Sequence, residues 1–359
     1  MRKIFGHEHL ITGSFIPDGM IPIIGRMIKN KCGRKFLVFV LRAANPTSHD
    51  DDIERLADYI ISTSKTQRQL FKELKSYGNP GDKFNILTID LTYIGAGKVP
   101  VPYEKQIEEI VELIKEGELI NLYIHIDCRR PNYIDLLNKY KPYIKGLKFY
   151  NYMGTFPYDY GYKEAYEFAR ENKLDCIFHC SRGNINYYRG DDIEERLIGT
   201  HYKLYPKKDN NRELSTNFGN PQGIIEMAKQ YLDVIFQIAH MGGEEDFKKF
   251  IDDKEYEILL GQRSQRYNIE HYTFTYQILK ACIDNPNIYT DTSYTAYKTL
   301  YYEIIKLLMY HPVLKNKIRF GTDFPVNKTV ADMHSYISDF ETNIGKENFQ
   351  RISLLNFNV

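Results

Sequence analysis

Short apolar runs alternate along this chain with segments of helical periodicity. The clearest helix covers 103–116, where apolar residues recur on one face and Gly117 ends the pattern. Such alternation predicts a parallel sheet covered by helices. Eight runs have the length and composition of strands: 3–5, 84–91, 122–127, 144–149, 175–179, 234–240, 287–291 and 317–323.

Eight alternating strands and helices predict an α/β fold, a (β/α)8 TIM-type barrel. No linker-like stretch divides the chain, so we expect one domain over 1–359. Residues 11–82 and 183–220 are too long for simple connections, and we interpret them as insertions after strand 1 and after strand 5. The alternative is an open doubly wound sheet, but no strand leads into the Gly-x-Gly-x-x-Gly turn typical of that fold.

Composition narrows the classes of partner. The net charge is +1, from 48 basic and 47 acidic residues, which argues against nucleic acid and against an anionic membrane surface. The five cysteines are too few and too irregularly spaced for a disulfide framework. The longest apolar run, 36–41, is far shorter than the ~20 residues of a membrane span, and no signal peptide is visible. We therefore expect a cytoplasmic protein.

Residues of the types that bind metals stand at the ends of the predicted strands. In barrels of this class the active site lies at the C-terminal ends of the strands. His7 and His9 share one face of strand 1, with attachment points roughly 6–7 Å apart. Such a pair alone is more often incidental. His179, His240 and Asp323 end three other strands at the same rim, and together the five residues predict a metal centre. Imidazole and carboxylate suit zinc and other first-row ions, so the ligand types do not select the metal.

Five segments, taken together and in this order, resemble the amidohydrolase superfamily, in its amidohydrolase-related (amidohydrolase 2) branch: Gly6–His9, Gly146–Tyr150, Phe178–Ser181, Ala239–Gly243 and Phe320–Pro325. The resemblance spans nearly the whole chain. It implies one divalent metal held by His7, His9, His179 and Asp323. It also implies that His240 is a catalytic acid/base, or a ligand in a two-metal site, and that Asp323 is catalytic as well because it orients the attacking water.

Lys148, at the end of strand 4, has two interpretations. In some branches of that superfamily a carboxylated lysine at this place bridges two metals, which would add a second ion here. Alternatively, Lys148 is an ordinary ammonium group that binds an anionic part of the substrate. The sequence agrees with both.

Further candidate substrate-binding residues follow strands 3 and 5. Arg129 and Arg130 come two and three residues after Asp127, where they form a structural salt bridge or bind a substrate carboxylate through the planar guanidinium group. Ser181 and Arg182 follow strand 5 at the rim where substrate would lie. The polar segment 183–220 is either a lid over the site or a solvated insertion.

These residues predict a metal-dependent hydrolase, in which a metal-activated water attacks an amide, ester or lactone of a small polar molecule. Zinc is the expected ion, with manganese or another first-row ion as alternatives. The sequence leaves open whether the substrate bears a carboxylate and whether the protein forms a homo-oligomer. Two other functions remain as alternatives. One is metal-dependent non-oxidative decarboxylation, which that branch also includes, and the other is a non-catalytic metal or ligand sensor.

Overall fold

The structure, a computed structural model, describes residues 2–19, 51–182 and 216–354. Eight strands in these ranges form one parallel sheet, and their order in the sheet is their order in the chain. This order is the one that successive strand–helix units produce. The strands are β1 (Ile4–Glu8), β2 (Lys83–Leu87), β3 (Ile120–Ile126), β4 (Ile144–Phe149), β5 (Asp175–Phe178), β6 (Phe236–Ile238), β7 (Ile288–Asp291) and β8 (Ile318–Arg319).

Backbone hydrogen bonds join the end of the sheet to its beginning. The Gly6 N–H donates to the Phe320 carbonyl at 2.9 Å, and the Asp323 N–H donates to the His7 carbonyl at 2.9 Å. The His9 N–H donates to the Phe324 carbonyl at 2.7 Å. The segment after β8 therefore lies against β1 and closes the barrel. The predicted (β/α)8 architecture is confirmed.

Helices surround the barrel, and aromatic side chains fill the layer between helices and sheet. Phe149, Phe178 and Phe236 stack on one another across β4, β5 and β6, at ring-centroid distances of 4.5 and 5.2 Å. Because neighbouring strand residues face opposite sides, Lys148 points into the barrel when Phe149 points out. The described helices are α1 (Asp51–Ser62), α2 (Gln67–Ser76), α3 (Tyr103–Lys115), α4 (Tyr133–Tyr140), α5 (Lys163–Glu171), α6 (Pro221–Gln230), α7 (Glu244–Asp252), α8 (Glu255–Leu259), α9 (Phe274–Asp284), α10 (Thr299–Leu308), α11 (Met333–Ile344) and α12 (Lys346–Leu354).

The barrel interior contains a buried polar network. Arg319 Nη1 lies 2.8 Å from Asp175 Oδ2 and 2.8 Å from Gln237 Oε1. All three side chains are nearly inaccessible to solvent. The pairing matters because a buried charge without a partner costs several kcal/mol, of order 3–5 when one partner is removed. This network also holds Gln237 in place beside the strand ends.

Several strands are shorter than the apolar runs predicted. The run 234–240 contains only three strand residues, Phe236–Ile238, and the run 317–323 contains only Ile318–Arg319. The predictions were too long because the backbone leaves the extended conformation where the polar residues begin.

The insertion after strand 1 carries α1 and α2 in its described part. Most of the segment 183–220, with the lid interpretation, lies outside the described residues. None of the helices in the described ranges has the length and apolar character needed to cross a bilayer.

Candidate metal centre

The five histidine and aspartate residues singled out at the strand ends lie in one cluster, in which His179 is partly exposed and the other four are buried. Ligand atoms of His7, His240 and Asp323 all lie within 4.8 Å of one another. His9 Nε2 is 3.4 Å from Asp323 Oδ1, and His179 Nδ1 is 3.1 Å from His240 Nε2. The barrel thus brings together side chains that are far apart in the chain.

Local backbone geometry allows this close approach. A Cβ atom added to Gly321 would lie 2.7 Å from the Cβ of His7, so a side chain there would push β1 away from the segment after β8. His240 and Asp323 both adopt left-handed backbone conformations, with φ of 61° and 62°. This conformation costs a non-glycine residue about 1–2 kcal/mol. Such backbone strain clusters at functional sites.

The charge states of the cluster suit a divalent cation. Burial lowers the pKa of His7 to about 3 and also lowers the pKa of His240, so both imidazoles are neutral at neutral pH. Burial alone would raise the pKa of Asp323, but the contact with His9 and the nearby imidazoles lower it instead. Metal binding requires neutral histidine and ionised carboxylate. Nitrogen and oxygen donors in these states fit a metal ion: ligand atoms of His7, His240 and Asp323 lie close enough to approach one ion, and His9 and His179 lie beside them.

His9 is oriented by a backbone carbonyl. His9 Nδ1 lies 2.7 Å from the Leu87 carbonyl oxygen, which can only accept, so Nδ1 carries the proton. The lone pair of His9 Nε2 is then available, and the Tyr150 hydroxyl donates to it at 3.1 Å. A metal bound to His9 Nε2 would take the place of this phenol hydrogen bond.

His179 contacts Ser181 and two tyrosine rings. Its Nε2 lies 2.8 Å from Ser181 Oγ, and its ring centroid lies 5.1 Å from that of Tyr150 and 4.3 Å from that of Tyr152. The predicted substrate residue Ser181 is therefore in direct contact with the predicted ligand His179.

Arg129 and Arg130 are engaged in ion pairs. Arg129 donates to both carboxylate oxygens of Asp127, at 2.8 and 2.6 Å. Arg130 Nε donates to Asp90 Oδ2 at 2.7 Å. This is the arrangement expected of structural salt bridges, and neither arginine lines the cavity that leads to the cluster of candidate metal ligands.

That cavity has a volume of about 410 Å³ and reaches His240, His179 and Asp323. Its wall includes Ser181 and Arg182, as expected of residues that follow β5. Arg182 is not an isolated charge, because its Nε lies 2.6 Å from Asp246 Oδ2. Aliphatic side chains and four tyrosines form much of the remaining wall: Ile11, Ile16, Ile89, Leu91, Val326, Tyr59, Tyr150, Tyr152 and Tyr294.

Comparison with known proteins identifies the fold. No protein-family model and no curated protein matches the sequence. Solved structures do match over nearly the full length. An amidohydrolase from Burkholderia multivorans with bound zinc has a TM-score of 0.53 at 8% identity, covering 98% of this chain and 96% of that one. This chain has the (β/α)8 barrel fold of that structure.

Other solved structures with this barrel fold carry different names. The 5-carboxyvanillate decarboxylase from Novosphingobium aromaticivorans, in complex with manganese and 4-hydroxy-3-methoxy-5-nitrobenzoic acid, has a TM-score of 0.52 at 14% identity, covering 98% of this chain and 93% of that one. An uncharacterised TIM-barrel protein from Bordetella bronchiseptica has a TM-score of 0.51 at 12% identity, covering all of both chains. Both amidohydrolases and a decarboxylase thus share this fold.

Asp291 and Ser293 belong to the cluster although the sequence analysis does not select them. Asp291 Oδ2 lies 3.0 Å from His7 Nδ1, and Ser293 Oγ lies 2.8 Å from His240 Nδ1. A signal was present, because Asp291 ends the seventh apolar run just as His179 ends the fifth. The missing information was which strand-end residues face one another.

Lys148 is fully buried inside the barrel, with Nζ 3.3 Å from His7 Nε2. Burial lowers the pKa of Lys148 to about 7. A free amine is the form that reacts with carbon dioxide to give a carbamate, and an ammonium is the form that binds an anion. The position agrees with both interpretations from the sequence.

We expect the number of metal ions per chain to decide the role of Lys148. If Lys148 is carboxylated and bridges two metals, fully active protein contains two ions per chain, and Lys148→Met loses one of them. If one ion per chain supports full activity, the bridging interpretation is wrong. Elemental analysis of active protein, normalised to protein concentration, makes the measurement.

Proposed function

We propose that this protein is a metal-dependent hydrolase that uses water to cleave an amide, ester or lactone of a small molecule. The observation that carries the proposal is the position of His240 and Asp323. Both belong to the cluster of ligand-type side chains, and both line the cavity that would receive substrate. A hydrolase needs a metal site and an acid/base group at the same end of a cavity.

His240 has the properties of the proton-transfer group. Its Nδ1 faces the Ser293 carbonyl oxygen at 3.0 Å, so Nδ1 carries the proton and Nε2 is free to accept one. Burial lowers the pKa of His240, whereas the carboxylates of Asp323 and Asp291 act to raise it. His240 would accept a proton from the attacking water and then donate it to the leaving oxygen or nitrogen.

The other residues of the cluster hold the site. When bound, the metal would lower the pKa of a water molecule toward ~7 and polarise the substrate carbonyl. Asp323, an ionised carboxylate beside His9 and His7, would both bind the ion and orient the water. We propose zinc as the ion, with manganese as the first alternative, since imidazole and carboxylate ligands accept either.

A non-oxidative decarboxylase is the second candidate, because the cavity has an aromatic wall. Four tyrosines, Tyr59, Tyr150, Tyr152 and Tyr294, surround a cavity of about 410 Å³. Tyrosine and aliphatic side chains of this kind suit an aromatic or cyclic substrate. In such a reaction His240 would protonate the carbon that loses the carboxylate.

Products formed in labelled water distinguish the two reactions. We expect purified, metal-loaded protein to convert members of a panel of lactones, esters and amides, with one oxygen from H₂¹⁸O in the product acid and no release of carbon dioxide. A panel of aromatic carboxylic acids is run in parallel. Carbon dioxide release without incorporation of solvent oxygen would favour the decarboxylase. Ligand binding without turnover on either panel would favour a sensor.

A further inference from the structure

The Asp291 carboxylate contacts groups on both sides of the cluster of candidate metal ligands. Asp291, the last residue of β7, is fully buried. Its Oδ2 accepts from His7 Nδ1 at 3.0 Å and from Gln237 Nε2 at 2.5 Å. Its Oδ1 accepts from the backbone N–H groups of His240 at 3.0 Å and Ser293 at 3.1 Å, and from the Ser293 hydroxyl. Both oxygens of Asp291 are therefore used, one toward β1 and β6 and the other toward the segments that follow β6 and β7.

The contact with His7 determines where the proton of that imidazole lies. Both oxygens of Asp291 already face groups that can only donate, the backbone N–H groups of His240 and Ser293 at Oδ1 and the Gln237 amide N–H at Oδ2. An ionised carboxylate only accepts hydrogen bonds, so His7 Nδ1 donates and His7 Nε2 keeps its lone pair. The position of Lys148 agrees, because its Nζ lies 3.3 Å from His7 Nε2, where it can donate.

The contact with Ser293 determines the proton position in His240. The Ser293 hydroxyl donates to Asp291, so its oxygen faces His240 Nδ1, 2.8 Å away, with a lone pair. The Ser293 carbonyl oxygen also accepts from His240 Nδ1, at 3.0 Å. His240 is thus held with the proton on Nδ1, and its Nε2 is left unprotonated.

We propose that Asp291 is a positioning residue that selects the Nδ1–H form of both His7 and His240, the first directly and the second through Ser293. Each histidine then presents an unprotonated Nε2 to the cluster. One buried carboxylate would in this way prepare a metal ligand and the acid/base at once. Carboxylates that accept from metal-binding histidines fix tautomer and ring orientation in this manner. The metal-binding and proton-transfer roles of the two histidines rest on the proposed function, whereas their proton positions do not.

The experiment begins with metal-free wild-type protein labelled with ¹⁵N-histidine. Imidazole ¹⁵N chemical shifts distinguish protonated from unprotonated ring nitrogens, and the signals are assigned with His7→Gln and His240→Asn. We expect both residues to show a protonated Nδ1 and an unprotonated Nε2. A protonated Nε2 in either residue would overturn the proposal without any change to Asp291.

Asp291→Asn then tests whether Asp291 causes these proton positions. The amide presents an N–H₂ group where one carboxylate oxygen accepted hydrogen bonds, so we expect the proton of His7 to shift toward Nε2. Metal affinity, measured by competition with a chromophoric chelator, should fall by about 10–100-fold, the usual effect of losing such a partner. The matched control is Asp127→Asn, which removes another buried carboxylate at the rim, one paired with Arg129 and not with a site histidine. We expect no change of metal affinity in this control.

Ser293→Ala separates the effect of Asp291 on His240 from its effect on His7. It removes the hydroxyl between Asp291 and His240, which also lies 3.3 Å from His7 Nδ1, but leaves the 3.0 Å bond between Asp291 and His7. We expect wild-type metal affinity and a His7 that still carries its proton on Nδ1. Wild-type affinity and an unshifted His7 spectrum in folded Asp291→Asn would overturn the proposal. Because both measurements need no substrate, a failure to find turnover would count against the proposed function and leave this test intact.

Discussion

Replacing His240 by asparagine should reduce turnover by about 10²–10⁴-fold, the usual contribution of a general acid/base, while the protein keeps its metal. The reason is that asparagine neither accepts nor releases a proton near neutral pH. Steady-state kinetics with the best substrate found, together with metal content by elemental analysis, make the measurement. Loss of metal in His240→Asn would instead favour a ligand role for His240, as in a two-metal site, since its ligand atom lies within 4.8 Å of those of His7 and Asp323.

Asparagine is the appropriate replacement because of the backbone at this position. His240 has φ of 61°, and asparagine tolerates left-handed conformations better than most residues. The substitution therefore tests the imidazole without adding backbone strain. The control is His271→Asn, at an exposed histidine. It should leave both turnover and metal content unchanged.

The second large effect is expected at His7 and Asp323. His7→Ala or Asp323→Ala removes a candidate ligand from the cluster, so we expect the metal to be lost on dialysis, and activity with it. The loss of affinity should exceed the ~10–100-fold typical of partners that only support a ligand. Asp323→Asn belongs in the same series, because Asp323 has φ of 62° and asparagine keeps the backbone while removing the charge.

Metal content after dialysis, measured by elemental analysis, is the primary result for these variants. Thermal unfolding of each metal-free variant, compared with metal-free wild type, separates loss of metal from loss of fold. Full metal retention in His7→Ala or Asp323→Ala would contradict the proposed ligand set.

Much of the barrel follows from local pattern alone. Apolar runs of strand length alternate with helical stripes, and this alternation leads to parallel strands in sequential order. The same rule places every strand end at one rim, which is why the sequence alone predicts that five side chains lie together: His7, His9, His179, His240 and Asp323. Strand lengths were less well predicted, because an apolar run does not reveal where the backbone turns left-handed.

The sequence pattern does not predict which partners Arg129 and Arg130 have. Arg129 and Arg130 stand two and three residues after a predicted strand, and the sequence favours a salt bridge there over a substrate carboxylate without identifying the partners. The structure pairs Arg129 with Asp127 and Arg130 with Asp90. The second partner comes from a neighbouring strand connection, and only tertiary packing brings it within reach.

The sequence by itself determined the fold class, the rim that carries the polar residues and the side-chain types that suit a metal. These depend on periodicity and on the parallel direction of the strands, which are properties of short segments. Tertiary structure alone decided the pairings across the barrel. Asp291 lies 284 residues from His7 in the chain, yet the two side chains are 3.0 Å apart. Their meeting depends on the closure of β8 onto β1 and on which side chains then face each other, and no local pattern encodes it.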